Sequence, residues 1–205
     1  AFPAQCNYNG HKFSLNLIKK LHENENNYVL LDAAAFVSSN YLNLSHYHPD
    51  FVCLSFYKIF GYPTGLGALI VSKRGATQLD KKYYGGGTVK IAFTRENWHS
   101  KRDLIHEKFE DGTISYLSII SLQSCFKFME KLLGDNFIER VSRHVFNLAS
   151  YLYGKLKVLK HSNHQPVACL YHDTNFNDIN AQGGIVNFNL QHDDGSYVGF
   201  AEFSC

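Results

Sequence analysis

The 205-residue chain has no run of eighteen or more apolar residues and no signal-like amino terminus, so neither membrane insertion nor secretion is expected. A cytoplasmic setting is the default expectation. A dominant charge sign is also lacking: 20 Lys and Arg against 18 Asp and Glu leave a formal net charge of +2, and no long basic stripe marks nucleic acid as a partner. The pairs Lys19-Lys20 and Lys81-Lys82 read as solvated surface. Cys6, Cys53, Cys125, Cys169 and Cys205 are an odd number without paired short spacings, which argues against a disulfide framework and a cysteine zinc site. They are expected to pack as small hydrophobes, Cys53 inside a strand being the clearest case. His46-Tyr47-His48-Pro49-Asp50 offers two imidazoles and a carboxylate, but without partner ligands at a recognisable distance it reads as a solvated loop, and no metal is expected. Internal repeats and extended low-complexity tracts are absent, although His22 to Asn27 is a polar stretch.

What the chain does have is a core-forming composition, 45% hydrophobic and 15% aromatic, as in soluble globular proteins. Tyr28-Val29-Leu30-Leu31 and Phe51-Val52-Cys53-Leu54 are short, continuous apolar runs, as expected of strands buried on both faces of a parallel sheet. Gly67-Ala68-Leu69-Ile70-Val71 predicts another strand after a glycine-rich turn. Asp32 and Ser55 then fall at strand carboxyl ends, where open α/β sheets collect ligands, and Lys58 follows three residues later. A buried acid and a buried lysine serving one cofactor are the expectation. Pyridoxal 5'-phosphate fits this set, because its aldehyde takes an amine, its ring nitrogen a carboxylate, and its phosphate hydroxyl and backbone donors.

The segment from Ser55-Phe56-Tyr57-Lys58 through Gly65-Leu66-Gly67-Ala68-Leu69 resembles the lysine motif of class V aminotransferases, specifically of the molybdenum cofactor sulfurases. Leu31-Asp32-Ala33-Ala34-Ala35, Tyr84-Gly85-Gly86-Gly87-Thr88, Phe109-Glu110-Asp111-Gly112-Thr113-Ile114-Ser115 and the stretch from Gly183 to Leu190 extend the resemblance over nearly the whole chain. It implies an α/β fold of the pyridoxal phosphate-dependent transferase type I, with a mostly parallel sheet flanked by helices and the start of a smaller α+β domain. By the same resemblance Lys58 binds the cofactor aldehyde, Asp32 pairs with the ring nitrogen, Ser55 contacts the phosphate, and Asn7 lies near the cofactor hydroxyl and the substrate carboxylate. Thr88, after three glycines, is placed on a phosphate, in the neighbouring subunit of a homodimer. Tyr57 stands where cysteine desulfurases carry a histidine, and Ala35 where they often carry glutamine or histidine; both departures fit the molybdenum cofactor branch.

The implied reaction takes sulfur from L-cysteine as an enzyme persulfide and passes it to the molybdenum cofactor, activating xanthine dehydrogenase and aldehyde oxidase. The family's nucleophilic cysteine sits in an arginine- and glycine-containing motif not seen here, and Phe203-Ser204-Cys205 lacks those neighbours. An incomplete fragment, inactive alone, is therefore expected. Residues 1–135 are assigned to part of the cofactor-binding domain and 136–205 to a linking helix and part of a small domain. The linking helix is read from Phe137, Ile138, Val141, Val145, Leu148, Leu152 and Leu156, with capping residues in Gly134-Asp135-Asn136. The alternatives are a general cysteine desulfurase or selenocysteine lyase, and a catalytically silent α/β dimerisation module.

Overall fold

The computed structural model describes residues 1–61 and 65–204. Tyr62, Pro63 and Thr64 of the lysine motif, and Cys205, lie outside the described residues. The first half runs β1 (Phe2–Pro3), α1 (Asn16–His22), β2 (Leu30–Asp32), a 3-10 turn (Phe36–Ser38), α2 (Leu44–Tyr47), β3 (Phe51–Ser55), α3 (Phe56–Phe60) and β4 (Gly67–Val71). β1, β2 and β3 pair in parallel, with Pro3 level with Asp32 and Asp32 level with Cys53, while β4 joins β3 antiparallel from Phe51↔Val71 to Ser55↔Gly67. The sheet is thus α/β and mainly parallel, with helices packed along it.

Its core follows from the apolar runs. Ile18 of α1, Val29, Leu31 and Val52 are almost completely buried and meet Ala4, Ala33, Leu15 and Phe36 in one cluster. Each large aliphatic side chain buried there contributes about 1.5–3 kcal/mol. The strand expected at Gly67–Val71 is present as β4, and its Leu69 and Ile70 are exposed. β4 is the last strand of this sheet, so its side chains meet fewer neighbours.

After β4 come α4 (Lys73–Ala76), a hairpin of β5 (Val89–Ala92) and β6 (His99–Lys101), α5 (Ile105–Phe109) and α6 (Tyr116–Leu133). The expected linking helix is α7 (Phe137–Val158). Its first turn is not closed by a capping side chain; instead the N–H groups of Glu139 and Arg140 donate to the Asn136 carbonyl. β7 (Ala168–Tyr171) and β8 (Asn187–Leu190) form an antiparallel pair, and α8 (Phe200–Phe203) follows. Tyr153 of α7 stacks on Phe176 at 4.5 Å, making a second small core.

Two sequence expectations are corrected by long-range pairing. Asp50, read as part of a solvated loop, is 2% exposed and accepts from the Val29 N–H at 2.9 Å, His22 Nε2 at 2.9 Å, and Ser72 Oγ and Arg74 at 3.3 Å. Lys81, read as surface, is buried and pairs with Asp111. A third buried charge, Lys12, donates to Asn40 Oδ1 at 2.5 Å and to the Ile179 carbonyl at 2.6 Å, tying the start of the chain to its last third. Burial pulls the Lys12 ammonium down to about 8.

Burial alone would push the Asp50 carboxyl up, but the Val29 N–H, His22 and Arg74 together outweigh it and hold the group below the usual carboxylate range. The unfolded chain then takes up protons first on acidification, so this contribution is present above the unfolded value of about 3.9 and is lost as pH falls through the folded one. Asp50→Ala is expected to cost about 3 kcal/mol, because Arg74 and His22 lose their buried acceptor. Urea unfolding at neutral pH measures the loss, and as pH falls below the unfolded carboxylate value of about 3.9 the variant should lose less additional stability than the parent.

Candidate functional site

The carboxyl ends of three parallel strands face one edge, and all of the predicted residues but Thr88 follow or end these strands. Asn7 sits in the turn after β1, its side chain exposed. Asp32 ends β2, and Oδ1 accepts from the Ala34 N–H at 3.1 Å, an Asx-type turn that starts the segment leading to the 3-10 turn. Ser55 ends β3 in extended conformation and makes no capping bond to α3. Tyr57 and Lys58 are on α3 and both exposed. Helix α3 stops after one turn because Gly61 adopts φ +64°, and its N–H donates to the Tyr57 carbonyl. The acid and the lysine are therefore at the surface of this chain, not buried as expected: the strand ends carry them past the packed layer.

Lys58 forms no ion pair among the described residues and lines a cavity of about 450 Å³ together with Gln5, Ala35, Ser38, Ser39, Val141, Val145, Gly184 and Ile185. Ala35 places the segment after Asp32 in the same cavity wall as the amine. Gln5 was not anticipated by sequence reasoning. It is 5% exposed, and its Oε1 has no hydrogen-bond partner among the described residues. The only sequence signal was its place two residues before Asn7. Cys53 lies level with Asp32, and burial, reinforced by the Asp32 charge, raises its thiol above the ordinary range, so it stays protonated and unreactive.

Thr88 is apart from these residues and completely buried. Its hydroxyl donates to the Gly85 carbonyl at 2.8 Å within its own turn. Asp111, within the 109–115 segment that shares the family resemblance, accepts from the Gly85 N–H at 2.8 Å and from buried Lys81. A Cβ on Gly85 would stand 2.5 Å from Asp111 Oδ1, so only glycine admits the carboxylate. The hydrogen bond from Lys81, helped by the Gly85 N–H and by the lysine's charge, holds the Asp111 carboxyl below its usual range. The glycine run is thus a shaped turn closed by an internal carboxylate.

Comparison with known proteins defines the class. The aminotransferase class-V family model matches residues 2–199, and the chain belongs to that family. It is 57% identical to "Molybdenum cofactor sulfurase 3" of Aedes aegypti, over 99% of this chain and 28% of that protein. It is 49% identical to the molybdenum cofactor sulfurase of Anopheles gambiae, over 100% of this chain and again 28% of the relative. The chain thus spans little more than a quarter of the curated relatives it matches. Among solved structures it superposes on the cysteine desulfurase of Thermococcus onnurineus NA1 with TM-score 0.69 at 20% identity, covering 92% of this chain and 43% of that one. It superposes on a cystine C–S lyase complexed with cysteine persulfide with TM-score 0.72 at 18% identity, covering 92% and 46%. At those identities the likeness is one of fold.

Asp111→Ala should leave the Gly85 N–H only its longer bond to Thr88 Oγ1, at 3.2 Å, and leave Lys81 without its carboxylate. Amide hydrogen exchange at Gly85 is expected to speed up by about tenfold or more, with the sheet amides of β2 and β3 unchanged.

Proposed function

We propose that this chain is the cofactor-holding part of a molybdenum cofactor sulfurase that takes sulfur from L-cysteine. The observation that carries the reading is the convergence of Asp32, Ser55 and Lys58 on one sheet edge, in a chain 57% identical to a protein of that name. Pyridoxal phosphate fits the donor set: the Lys58 amine has no ion pair among the described residues, Asp32 makes one short-range bond, and Ser55 keeps its hydroxyl out of the helix cap. When bound, the group supplies an aldehyde and a ring that accepts electrons from the carbon next to an amine.

The protein's residues do the rest. Lys58 Nζ would hold the group at its aldehyde and would serve as the amine that moves a proton at that carbon. Asp32 would favour a proton on the ring nitrogen by its negative charge, Ser55 would donate to the phosphate, and Asn7 would donate to the cofactor hydroxyl or the substrate carboxylate. Tyr57, next to Lys58 on exposed α3, has a phenol free to reach the phosphate. In a homodimer the turn from Gly85 to Thr88 would approach the partner subunit's phosphate; with its hydroxyl engaged on Gly85, Thr88 acts there by shaping the turn. Cys6, Cys53, Cys125 and Cys169 do not line the Lys58 cavity, so none of them is assigned the transferred sulfur. Passage of that sulfur to the molybdenum cofactor is supported by the relatives' names alone, and its further use by enzymes such as xanthine dehydrogenase and aldehyde oxidase rests only on the family resemblance.

The test is borohydride reduction of the purified chain with pyridoxal phosphate, followed by peptide mapping. The label is expected on Lys58 and is lost in Lys58→Ala. A label spread over other lysines, or unchanged in the variant, would rule out the assignment.

A further inference from the structure

The turn carrying Asn7 belongs to the first segment of the chain but is held by the last third. Gln182 is completely buried, and its amide nitrogen faces three carbonyls, those of Asn9 at 2.8 Å, Ile185 at 3.2 Å and Gly183 at 3.3 Å. Its Oε1 accepts from the Thr174 hydroxyl at 2.6 Å. Three carbonyls can be met only by an NH2 group, so the orientation of the amide is fixed by chemistry as well as by packing. Gly10, at φ +77°, admits this approach, since a Cβ there would stand 2.6 Å from Gln182 Nε2. Backbone bonds flank the contact: Gly183 N–H to the Gly10 carbonyl and Lys12 N–H to the Ala181 carbonyl, both at 2.8 Å. Asn9 itself donates from Nδ2 to Asp173 at 2.6 Å.

Asn7 lies within this clamped turn, which closes through Gly10 N–H to the Cys6 carbonyl at 3.0 Å. Among the described residues the exposed Asn7 side chain makes no hydrogen bond, so the backbone of the turn sets where it starts and the Cα–Cβ direction along which it leaves. We infer that Gln182 is a positioning residue: through Asn9 and Gly10 it fixes the direction in which Asn7 presents its amide to the cofactor. This rests on the reading that Asn7 faces pyridoxal phosphate. An apolar side chain of equal size would fill the volume of Gln182 but leave the Asn9 carbonyl and the Thr174 hydroxyl unmet.

The test uses this chain with pyridoxal phosphate and follows the pH midpoint of the visible absorbance of the Lys58-bound cofactor. Asn7→Ala should move the midpoint, and Gln182→Met should move it in the same direction. In the Asn7→Ala background, Gln182→Met should add less than about a third of its single-variant shift, the non-additivity expected of residues acting as one unit. Thr174→Val, which only unfastens the Gln182 amide, should give a smaller shift of the same sign and serves if Gln182→Met does not fold. It should also speed amide exchange at Gly10 by about tenfold.

Equal shifts in both backgrounds would overturn the inference, as would a midpoint that Gln182→Met and Thr174→Val leave unmoved. An unmoved midpoint in Asn7→Ala with cofactor still on Lys58 would overturn it too, while leaving the Lys58 assignment intact. If the parent chain takes up no cofactor at Lys58, the functional reading fails instead. Exchange at Gly10 then decides the clamp, and an unchanged rate in Thr174→Val overturns it.

Discussion

The parallel pairing of β1, β2 and β3 is the constraint on which the rest depends, because it determines where the chain lets go of its packed layer. Leu30, Leu31 and Asp32 lie level with Phe51, Val52 and Cys53, and Leu31 and Val52 are 0% and 1% exposed. A slip of one residue would turn both aliphatic side chains out of the cluster around Ile18 and forfeit about 1.5–3 kcal/mol for each. Hydrophobic packing therefore sets the register, and the register sets where Asp32, Ser55 and the helix bearing Lys58 emerge. The site's geometry is a consequence of the core's, established by residues with no chemistry of their own.

Charge is distributed in keeping with that division. Asp50, Lys81 and Lys12 are buried, and each has partners: Asp50 collects four donors, Lys81 takes Asp111, and Lys12 takes Asn40 and the Ile179 carbonyl. Asp32 and Lys58 are the reverse, exposed at the strand edge; among the described residues the Asp32 carboxylate accepts only from the Ala34 N–H, and Lys58 has no ion pair. A charge enclosed without partners would cost several kcal/mol, so the enclosed ones are spent on holding segments together. Those at the edge keep their capacity for a ligand because water, until displaced, satisfies them.

This division also explains what was legible in the sequence. The apolar runs ending at Asp32 and Ser55, and the recurrence from Phe137 to Leu156, are local patterns, and the structure places strands and a helix there. Asp50 and Lys81 were misread because their partners are remote: His22 is 28 positions away, Arg74 24, and Asp111 30. A charge beside a polar stretch looks solvated until the fold brings the other half of the pair. Nor does the apolar run of β4 say whether its strand is central or last in the sheet, so the exposure of Leu69 and Ile70 follows only from the fold. Gln5 and Gln182 carry no spacing or composition signal; only the tertiary packing shows one with an unmet acceptor and the other with every polar atom used.

The two glycines after Gln182 connect these observations to the cavity. A Cβ on Gly183 would stand 2.3 Å from Gln5 Oε1, and one on Gly184 would stand 2.3 Å from Val145 Cγ1. Backbone is therefore pressed against the amino-terminal segment on one side and against α7 on the other, in the wall of the cavity that Lys58 also lines. Neither obstacle can yield freely. Gln5 is 5% exposed, and Val145 belongs to a 22-residue helix anchored elsewhere by the stack of Tyr153 on Phe176. Any side chain at these positions would wedge the last third of the chain away from the first segment, and the clamp on the Asn7 turn would loosen with it. The shape of the cavity beside Lys58 and the direction of Asn7 thus depend on the same contact between distant parts of the chain, a contact close enough that only glycine permits it.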